Sequence, residues 1–302
     1  MRTILLLTDQ KGWHYKQLIQ SIKKYNIDVI TKNLSDLSIS IINNEPQILQ
    51  KNGEPLNVTD VFVRHIPGGS LEEIITYLNI LKTFQLKNIN VMNTAENIEM
   101  TVDKSLTSLK LKDAGILTPN TWIIHGKNEC KKAINKLLAK HSLIYKPLFG
   151  SQGDNIIKIT SPLDFDTITN TSNIYYLQEF LETEPSHDYR VLIIKNKYKK
   201  IFHTMMRYGD NFLNNISKGA KCVPVKIDHE IINTAIEASN IIDIPFCGVD
   251  IIKHNNKNYV IELNSIPAWK GMQSITDASI SDQITEIFLS RDNDIIKSSI
   301  KK

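Results

Sequence analysis

The sequence predicts a mixed α/β protein in which a parallel βαβ unit precedes antiparallel sheet. The run Thr3–Leu7 is apolar enough for a buried strand, His14–Tyr25 carries apolar residues at helical spacing, and Asp28–Ile30 indicates a second strand. This order is typical of a βαβ unit. Near the other end, residues 247–273 indicate a hairpin whose two apolar arms each contain one acidic residue.

Composition indicates a cytoplasmic globular protein. The 302 residues are 41% hydrophobic, which is enough for two or three cores. The net charge of +4 arises from scattered basic residues, so nucleic acid is not an expected partner. No run approaches roughly 18 apolar residues, so no membrane partner is expected. Cys130, Cys222 and Cys247 form no CxxC pair, which argues against a disulfide framework or a zinc site. Homo-oligomerisation is left open.

The predicted hairpin places two acids opposite one another. Apolar runs surround Asp250 in the first arm and Glu262 in the second, and the turn-forming run HNNKN separates them. If the turn is centred on Asn256, the two acids lie on one face of the hairpin, which Asn264 shares.

Opposed carboxylates repel unless positive charge lies between them. The two acids and Asn264 offer hard oxygen ligands, which suit Mg²⁺ or Mn²⁺ better than Zn²⁺. The sequence therefore predicts a divalent cation on Asp250, Glu262 and Asn264. The alternative is a register slip of one residue, which would turn one carboxylate to solvent.

Two glycine-rich loops are candidates for anion binding. The first, Gly68–Ser70, follows Arg64 and precedes a predicted helix, so its backbone N–H groups are suited to an anion. Alternatively, Ser70 and Glu73 form a capping box that merely starts the helix. Both interpretations stay open.

The second loop, in LIYKPLFGSQGDNIIKI, joins strand to strand. No helix follows, so it is neither a Walker loop nor a dinucleotide turn, and the first βαβ unit lacks GxGxxG, so a dehydrogenase is not expected. A glycine-rich loop between two strands, here called the flap, can fold over a polyphosphate, and Lys146 would then be the fixed cation. The alternative is that Lys146 is simply exposed to solvent. A helix is predicted over Thr101–Lys112, with Asp103 and Lys104 inside it.

Four segments resemble, in order and spacing, the ATP-grasp superfamily, specifically the RimK-like glutamate ligases: KPLFGSQG, LQEFL, DYRVLII and GVDII…YVIELNSIPAWKG. The resemblance covers Val61–Thr276. RHIPGGSLEE and NSIPAWKGMQ look most like the branch associated with tetrahydromethanopterin-type cofactors. The implied α+β ATP-grasp fold has a pre-ATP-grasp α/β domain (1–98), a central subdomain with the flap (99–176) and a C-terminal subdomain with the hairpin (177–292). These enclose a nucleotide between antiparallel sheets.

The resemblance also implies a role for individual residues. In the family's arrangement two lysines approach phosphate, a backbone segment reads adenine, and an acid lies near the ribose. The residues implied to contact ATP are Lys104, Lys146, Gly150, Ser151, Gln152, Gly153, Gln178, Glu179, Phe180 and Asp188. The residues implied to act on the reacting groups are Arg190, Arg207, Asn215 and Lys218, and the metal ligands are Asp250, Glu262 and Asn264.

The activity implied by the resemblance is an ATP-dependent carboxylate–amine ligation. The γ-phosphoryl group of ATP moves to a substrate carboxylate, about two Mg²⁺ or Mn²⁺ ions offset its charge, and an amine converts the acylphosphate into an amide. Glutamate is expected as the amino acid, with a small molecule or peptide as its acceptor. Trp269 and Lys270 are expected to stack on and pair with an aromatic, acidic acceptor, unless Trp269 is packed in the core.

Three departures from the family pattern motivate an alternative function. Leu213 stands where many relatives have an arginine that faces the γ-phosphate. Either Arg190, Arg207 or Lys218 takes over this role, or turnover is weakened. Lys218 itself replaces an arginine, and Asn155 replaces a third flap glycine, although asparagine tolerates the left-handed conformation. The alternative is therefore a catalytically weakened ATP-binding regulatory or scaffold protein of the same fold.

Overall fold

The computed structural model describes residues 2–150, 153–170, 172–209, 212, 214, 216, 219–225 and 228–290. Within these residues the chain forms four β-sheets with helices packed on them, which confirms the predicted α/β class. The strands are β1 Thr3–Leu7, β2 Asp28–Lys32, β3 Leu37–Ile42, β4 Glu45–Gln50, β5 Asp60–Val63, β6 Asn90–Met92, β7 Thr121–His125, β8 Leu143–Lys146, β9 Ile157–Ile159, β10 Ile174–Glu179, β11 His187–Lys195, β12 Lys200–Tyr208, β13 Lys221–Val223, β14 Phe246–His254 and β15 Lys257–Asn264. The helices are α1 Trp13–Lys23, α2 Leu71–Leu86, α3 Ala95–Val102, α4 Lys104–Asp113, α5 Lys127–Leu137, α6 Pro162–Asp166, α7 His229–Ile241, α8 Lys270–Gln273 and α9 Ile280–Leu289.

The first sheet is parallel, with strand order β2-β1-β5-β6. Residues Ile4–Leu7 are fully buried because helices cover both faces of β1. Alternate residues pack with α1 and α9 on one side and with α2 on the other. The predicted βαβ start is therefore confirmed. Among the described residues, no helix has the length and apolar character that a membrane crossing needs.

A second hairpin, formed by β3 and β4, was not predicted. Asn43 and Asn44 have φ values of 52° and 63°, so they form a two-residue turn in the left-handed region. The two strands are largely half-buried or exposed and pack on α2. The Asn-Asn pair was the available sequence signal.

The second and third sheets are antiparallel. Their strand orders are β7-β10-β8-β9 and β13-β12-β11-β14-β15. Strands β8 and β9 pair directly, which confirms that the flap joins strand to strand, and Asn155 has φ 56°, as its side chain permits. The expected subdomain boundary between residues 176 and 177 lies inside β10.

The prediction of one helix over Thr101–Lys112 is wrong. Helix α3 ends at Val102, and the Asp103 carboxylate caps α4 by accepting the N–H groups of Ser105 at 2.9 Å and Leu106 at 3.0 Å. Aspartate is a strong N-cap because its short side chain reaches these free N–H groups. Lys104 thus begins a new helix.

The loop Gly68–Ser70 is a capped helix start. Ser70 Oγ accepts the N–H of Glu73, and Ser70 N–H donates to Glu73 Oε2 at 2.8 Å. A Cβ atom on Gly69 would lie 2.6 Å from the same carboxylate oxygen. The Glu73 side chain therefore occupies the position that the alternative interpretation gives to an anion.

One face of the third sheet is divided along its strands. In β11, Asp188 and Arg190 share a face with Leu192 and Ile194. The two apolar residues belong to the core that joins this sheet to the first sheet through α9, while Asp188 lines an open cleft. The opposite face is apolar and is covered by α7.

Trp269 is fully buried in the core beneath the first sheet. Its ring lies 4.5 Å from that of His14 and 6.0 Å from that of Phe246, measured between centroids. The expectation that Trp269 stacks on a substrate is therefore wrong, and the core-packing alternative is confirmed.

Replacing Trp269 with alanine should lower the free energy of unfolding by about 3–5 kcal/mol, because the cavity left by a buried indole cannot collapse completely. Urea denaturation followed by circular dichroism measures this change. Ile123→Ala, at a side chain that is 44% exposed, serves as the control and should cost less than about 1 kcal/mol. Equal losses in the two variants would contradict the packing role of Trp269.

Candidate functional site

A cleft of about 830 Å³ lies between the second and third sheets and opens to solvent. The predicted residues that line it are Lys104, Lys146, Gly150, Gly153, Gln178, Glu179, Phe180, Asp188, Arg207, Asp250 and Glu262. Arg190 and Asn264 are described but do not line it. Ser151, Gln152, Leu213, Asn215 and Lys218 lie outside the described residues.

The hairpin of β14 and β15 does place Asp250 opposite Glu262, but by a different route from the one predicted. Asn255 and Asn256, with φ 48° and 58°, form a two-residue turn, so the turn is not centred on Asn256. A regular ladder from this turn would set Ile261 opposite Asp250. A β-bulge between the pairs Ile251–Val260 and Asp250–Glu262 absorbs one residue and brings Glu262 to the cleft.

Four charged side chains form a buried network on the third sheet. Arg190 donates to both oxygens of Asp250, at 2.6 and 2.5 Å, and Arg207 donates to both oxygens of Asp188, at 2.6 and 2.7 Å. Arg207 also lies 3.0 Å from Asp250 Oδ2. Each bidentate pair joins directly opposed residues of neighbouring strands. The negative charge of Asp250 is therefore offset by two arginine side chains of the protein itself.

Burial and charge act in opposite directions on the pKa values of this network. Burial raises the pKa of Asp250, but Arg190 and Arg207 together bring it to about 2. Burial also raises the pKa of Asp188, and here it exceeds the opposing effect of Arg207. The short bidentate contacts nevertheless identify Asp188 as ionised. Burial would lower the pKa of Arg207, whereas the two carboxylates raise it above the ordinary value.

Two lysines face these acids from the other side of the cleft. Lys146 Nζ donates to Gln178 Oε1 at 2.7 Å. Burial lowers the pKa of Lys146 to about 8, against the attraction of Glu262. Lys104 Nζ donates to the carbonyl of Gly150 at 2.9 Å and so ties α4 to the flap; burial lowers its pKa as well. The burial of Lys146 agrees with the prediction that it is a fixed cation, and Gln178 holds its ammonium group in place.

The segment predicted to read adenine is held through groups that sequence reasoning missed. The N–H groups of Glu179 and Phe180 donate to the carbonyls of Asn120 and Ser142, at 2.7 and 2.8 Å. These N–H groups are thus already used. Leu181 follows them and lines the cleft.

The Glu179 carboxylate is also occupied. Asn120 Nδ2 donates to one oxygen at 2.6 Å, and His141 Nδ1 lies 3.0 Å from the other. Phe180 packs at 6.1 Å from Phe212, and Lys158 Nζ lies 4.2 Å from the Phe180 ring centroid. No spacing in the sequence links Asn120 or His141 to this segment, since only the sheet brings them together.

The hairpin face carries donors that fit a hard divalent cation. Among the described residues, no hydrogen bond or ion pair reaches the Glu262 carboxylate, and Asn264 Nδ2 is buried without a partner. An amide flip would present the Asn264 oxygen instead. Across the described part of the chain, no group of three or more His, Cys, Asp or Glu residues is arranged for a metal. A cation here therefore depends on mixed carboxylate and amide oxygens.

Removing the central guanidinium by Arg207→Met should destabilise the fold by about 3–5 kcal/mol, because Asp188 is left buried without its partner. Urea-induced unfolding at neutral pH measures the loss. Lys131→Gln, which breaks an exposed pair with Asp166, is the matched control and should cost about 0.5 kcal/mol or less. A methionine variant as stable as the control would show that the network does not stabilise the sheet.

The sequence is similar to a known domain family and to known enzymes. The sequence model of the RimK-like ATP-grasp domain matches residues 101–288. The tetrahydromethanopterin:alpha-L-glutamate ligase of Methanococcus maripaludis is 25% identical over 287 residues, which cover 93% of this chain and 96% of that protein. The alpha-aminoadipate–LysW ligase LysX of Saccharolobus solfataricus is 26% identical, covering 91% of this chain and 96% of its own.

Solved structures show the same fold. The ATP-grasp ligase PsnB complexed with a minimal precursor has a TM-score of 0.72 at 15% identity and covers 95% of this chain and 98% of its own. The RimK domain protein of Sphaerobacter thermophilus has a TM-score of 0.73 at 13% identity, with 96% and 100% covered. A further PsnB structure, with minimal precursor, Mg and ADP, has a TM-score of 0.65 at 13% identity and covers 94% and 96%.

Proposed function

The chain belongs to the RimK-like ATP-grasp family and is an ATP-dependent ligase that forms carbon–nitrogen bonds; we propose that it joins glutamate to a small molecule or peptide. One observation carries this proposal. A single cleft sets the ammonium groups of Lys104 and Lys146 against the carboxylates of Asp250 and Glu262. Such a site suits a polyphosphate bound together with a divalent cation.

In this proposal the two lysines bind the phosphates of ATP. Lys146 is held by Gln178 and is partly desolvated, so its charge acts at short range in a medium of low dielectric. Lys104 would exchange its contact with the Gly150 carbonyl for one with phosphate. The backbone around Leu181 binds the base, beside the ring of Phe180.

Glu262, Asn264 and Asp250 would hold the cation, of which Glu262 is the carboxylate without a partner among the described residues. When bound, Mg²⁺ or Mn²⁺ offsets phosphate charge during phosphoryl transfer. Arg207 and Arg190 hold Asp188 and Asp250 in position, and Arg207 itself also lines the cleft. A positioned site of this kind needs no nucleophilic Ser or Cys.

The reaction proposed is a two-step ligation. A substrate carboxylate oxygen attacks the γ-phosphorus and ADP leaves; the amine then attacks the acyl carbon and phosphate leaves, with loss of one proton from nitrogen. Support for glutamate comes from relatives named as alpha-L-glutamate ligases. Support for a peptide alternative on the acceptor side comes from the structures bound to precursor peptides.

Glu262→Gln should reduce phosphate release by more than about a hundredfold when the protein is incubated with ATP, Mg²⁺, glutamate and a panel of acceptors, because the amide binds the cation poorly. A coupled phosphate assay measures the rate. Glu129→Gln, at an exposed acid on α5, is the control and should leave the rate unchanged. If the Glu262 variant released phosphate as fast as the wild type, the metal role of the hairpin would be wrong.

ADP affinity should fall about tenfold between pH 7 and pH 9, because Lys146, with its pKa of about 8, loses its proton over this interval and phosphate binds the ammonium form. Isothermal titration calorimetry with ADP and Mg²⁺ gives the profile. In Lys146→Arg the guanidinium stays charged, so the profile should be flatter. An arginine variant with the wild-type pH dependence would assign the titration to another group.

A further inference from the structure

Arg64 differs from the other arginines that the structure describes. The described part of the chain contains four arginines, and Arg2, Arg190 and Arg207 each form a bidentate pair with an aspartate. Arg64 forms no ion pair and no side-chain hydrogen bond within the described residues, and its Nη1 is buried without a partner. A charged group that is partly removed from water loses part of its solvation, so such groups are normally paired with an opposite charge.

The surroundings of Arg64 are cationic and aromatic. Its guanidinium carbon lies 5.2 Å from the ring centroid of Trp269, and burial lowers its pKa only to about 10, so it stays charged at neutral pH. His14 Nε2 accepts the backbone N–H of Trp269 at 3.1 Å, which fixes His14 in a neutral form. Burial, together with the charges of Arg64 and Lys270, lowers the pKa of His14 to about 3. The positive charges of Arg64 and Lys270 therefore both act on His14.

Two acids that follow the carboxyl ends of β1 and β5 are engaged elsewhere. Asp9 Oδ1 lies 3.0 Å from His65 Nδ1, and the Glu73 carboxylate caps α2 through Ser70. Neither pairs with Arg64. The Arg64 backbone N–H donates to Leu7 O, so the residue lies at the carboxyl end of the parallel sheet. This edge is where open α/β sheets bind ligands.

A short segment connects Arg64 to the charged network of the third sheet. A Cβ atom on Gly248 would lie 3.3 Å from Pro267 Cβ and 3.7 Å from Arg190 Nε, so Pro267 and Arg190 meet over this glycine. Trp269, under Arg64, follows Pro267 by two residues. None of Arg64, Trp269 and Lys270 is among the residues that line the cleft of about 830 Å³. The cationic pair is therefore beside the proposed nucleotide site and not part of it.

Resting on the ligase function proposed above, we infer that Arg64 and Lys270 form a subsite for a carboxylate group of a substrate. Arg64 offers planar, paired N–H donors fixed against the Trp269 ring, which match a carboxylate. Lys270, which is exposed at the start of α8, adds a second charge from the solvent side. The carboxylate belongs either to the incoming amino acid or to the acceptor, because the same two cationic side chains would bind either group.

Binding of two probes to the full-length protein without ATP tests the subsite. The probes are L-glutamate, which carries an amine, and glutarate, which lacks one, each titrated by calorimetry. Arg64→Gln should weaken binding of at least one probe by roughly tenfold to a hundredfold, and Lys270→Met by about twofold to fivefold. Loss for L-glutamate alone assigns the subsite to the amino acid, and loss for glutarate as well assigns it to a carboxylic-acid acceptor.

Lys110→Gln, at an exposed lysine of α4, is the matched control and should bind both probes as the wild type does. Arg64→Lys retains the charge without the paired donors and should restore part of the affinity. Unchanged ADP affinity and urea unfolding in Arg64→Gln would show that its fold is intact. Binding of both probes within twofold of wild type in Arg64→Gln, or no binding of either probe to the wild type, would overturn the subsite.

The outcome is separable from that of the ligase function. With ATP, Mg²⁺ and an active acceptor, Arg64→Gln should raise the KM for the carboxylate substrate while the KM for ATP stays unchanged. If the wild type released no phosphate with any acceptor but bound L-glutamate through Arg64, the proposed function would fail and the subsite would stand. If the wild type released phosphate and Arg64→Gln left the KM for the carboxylate substrate unchanged, the subsite would fail and the proposed function would stand.

Discussion

The paired arginines and aspartates of the third sheet are the interaction on which the site depends. Asp188 and Asp250 would repel one another across β11 and β14 if they were buried alone. Arg207 contacts both of them, and Arg190 contacts Asp250 from the neighbouring strand. Because the acids and arginines offset one another, a polar floor can be buried before any ligand arrives, which is what a pre-organised site needs.

This floor leaves the remaining charges of the cleft available. Glu262 lies beside the network, at the edge strand, without a hydrogen bond among the described residues. Lys104 and Lys146 are held by a flap carbonyl and by Gln178, contacts that a phosphate oxygen can replace. The division of labour follows from position: residues in the middle of the sheet are paired, and residues at its edge and on the facing sheet can exchange partners.

Sequence patterns predicted the elements better than their contacts. The βαβ start, the flap between strands and the hairpin of Asp250 and Glu262 follow from apolar runs and turn residues, which are local signals. The bulge at Ile261 is not local in this sense, because one extra apolar residue leaves the pattern of each arm unchanged. Asp103 looked like an ordinary polar helix residue although it caps α4. The pairing of Arg207 with Asp188 and the burial of Trp269 depend on residues far apart in the chain.

The divided face of the third sheet has a consequence for folding. Alternation of apolar and polar residues selects a face but does not distinguish a ladder from one shifted by two residues. In β11 and β14 such a shift would set Asp188 opposite Asp250, or Arg190 opposite Ile252, in place of the observed pair of Arg190 with Asp250. The first arrangement buries two like charges together and the second leaves a guanidinium against an apolar side chain. The charged half of the face therefore favours one alignment of β11 and β14. The residues of the proposed site thus also specify the register of the sheet that contains them.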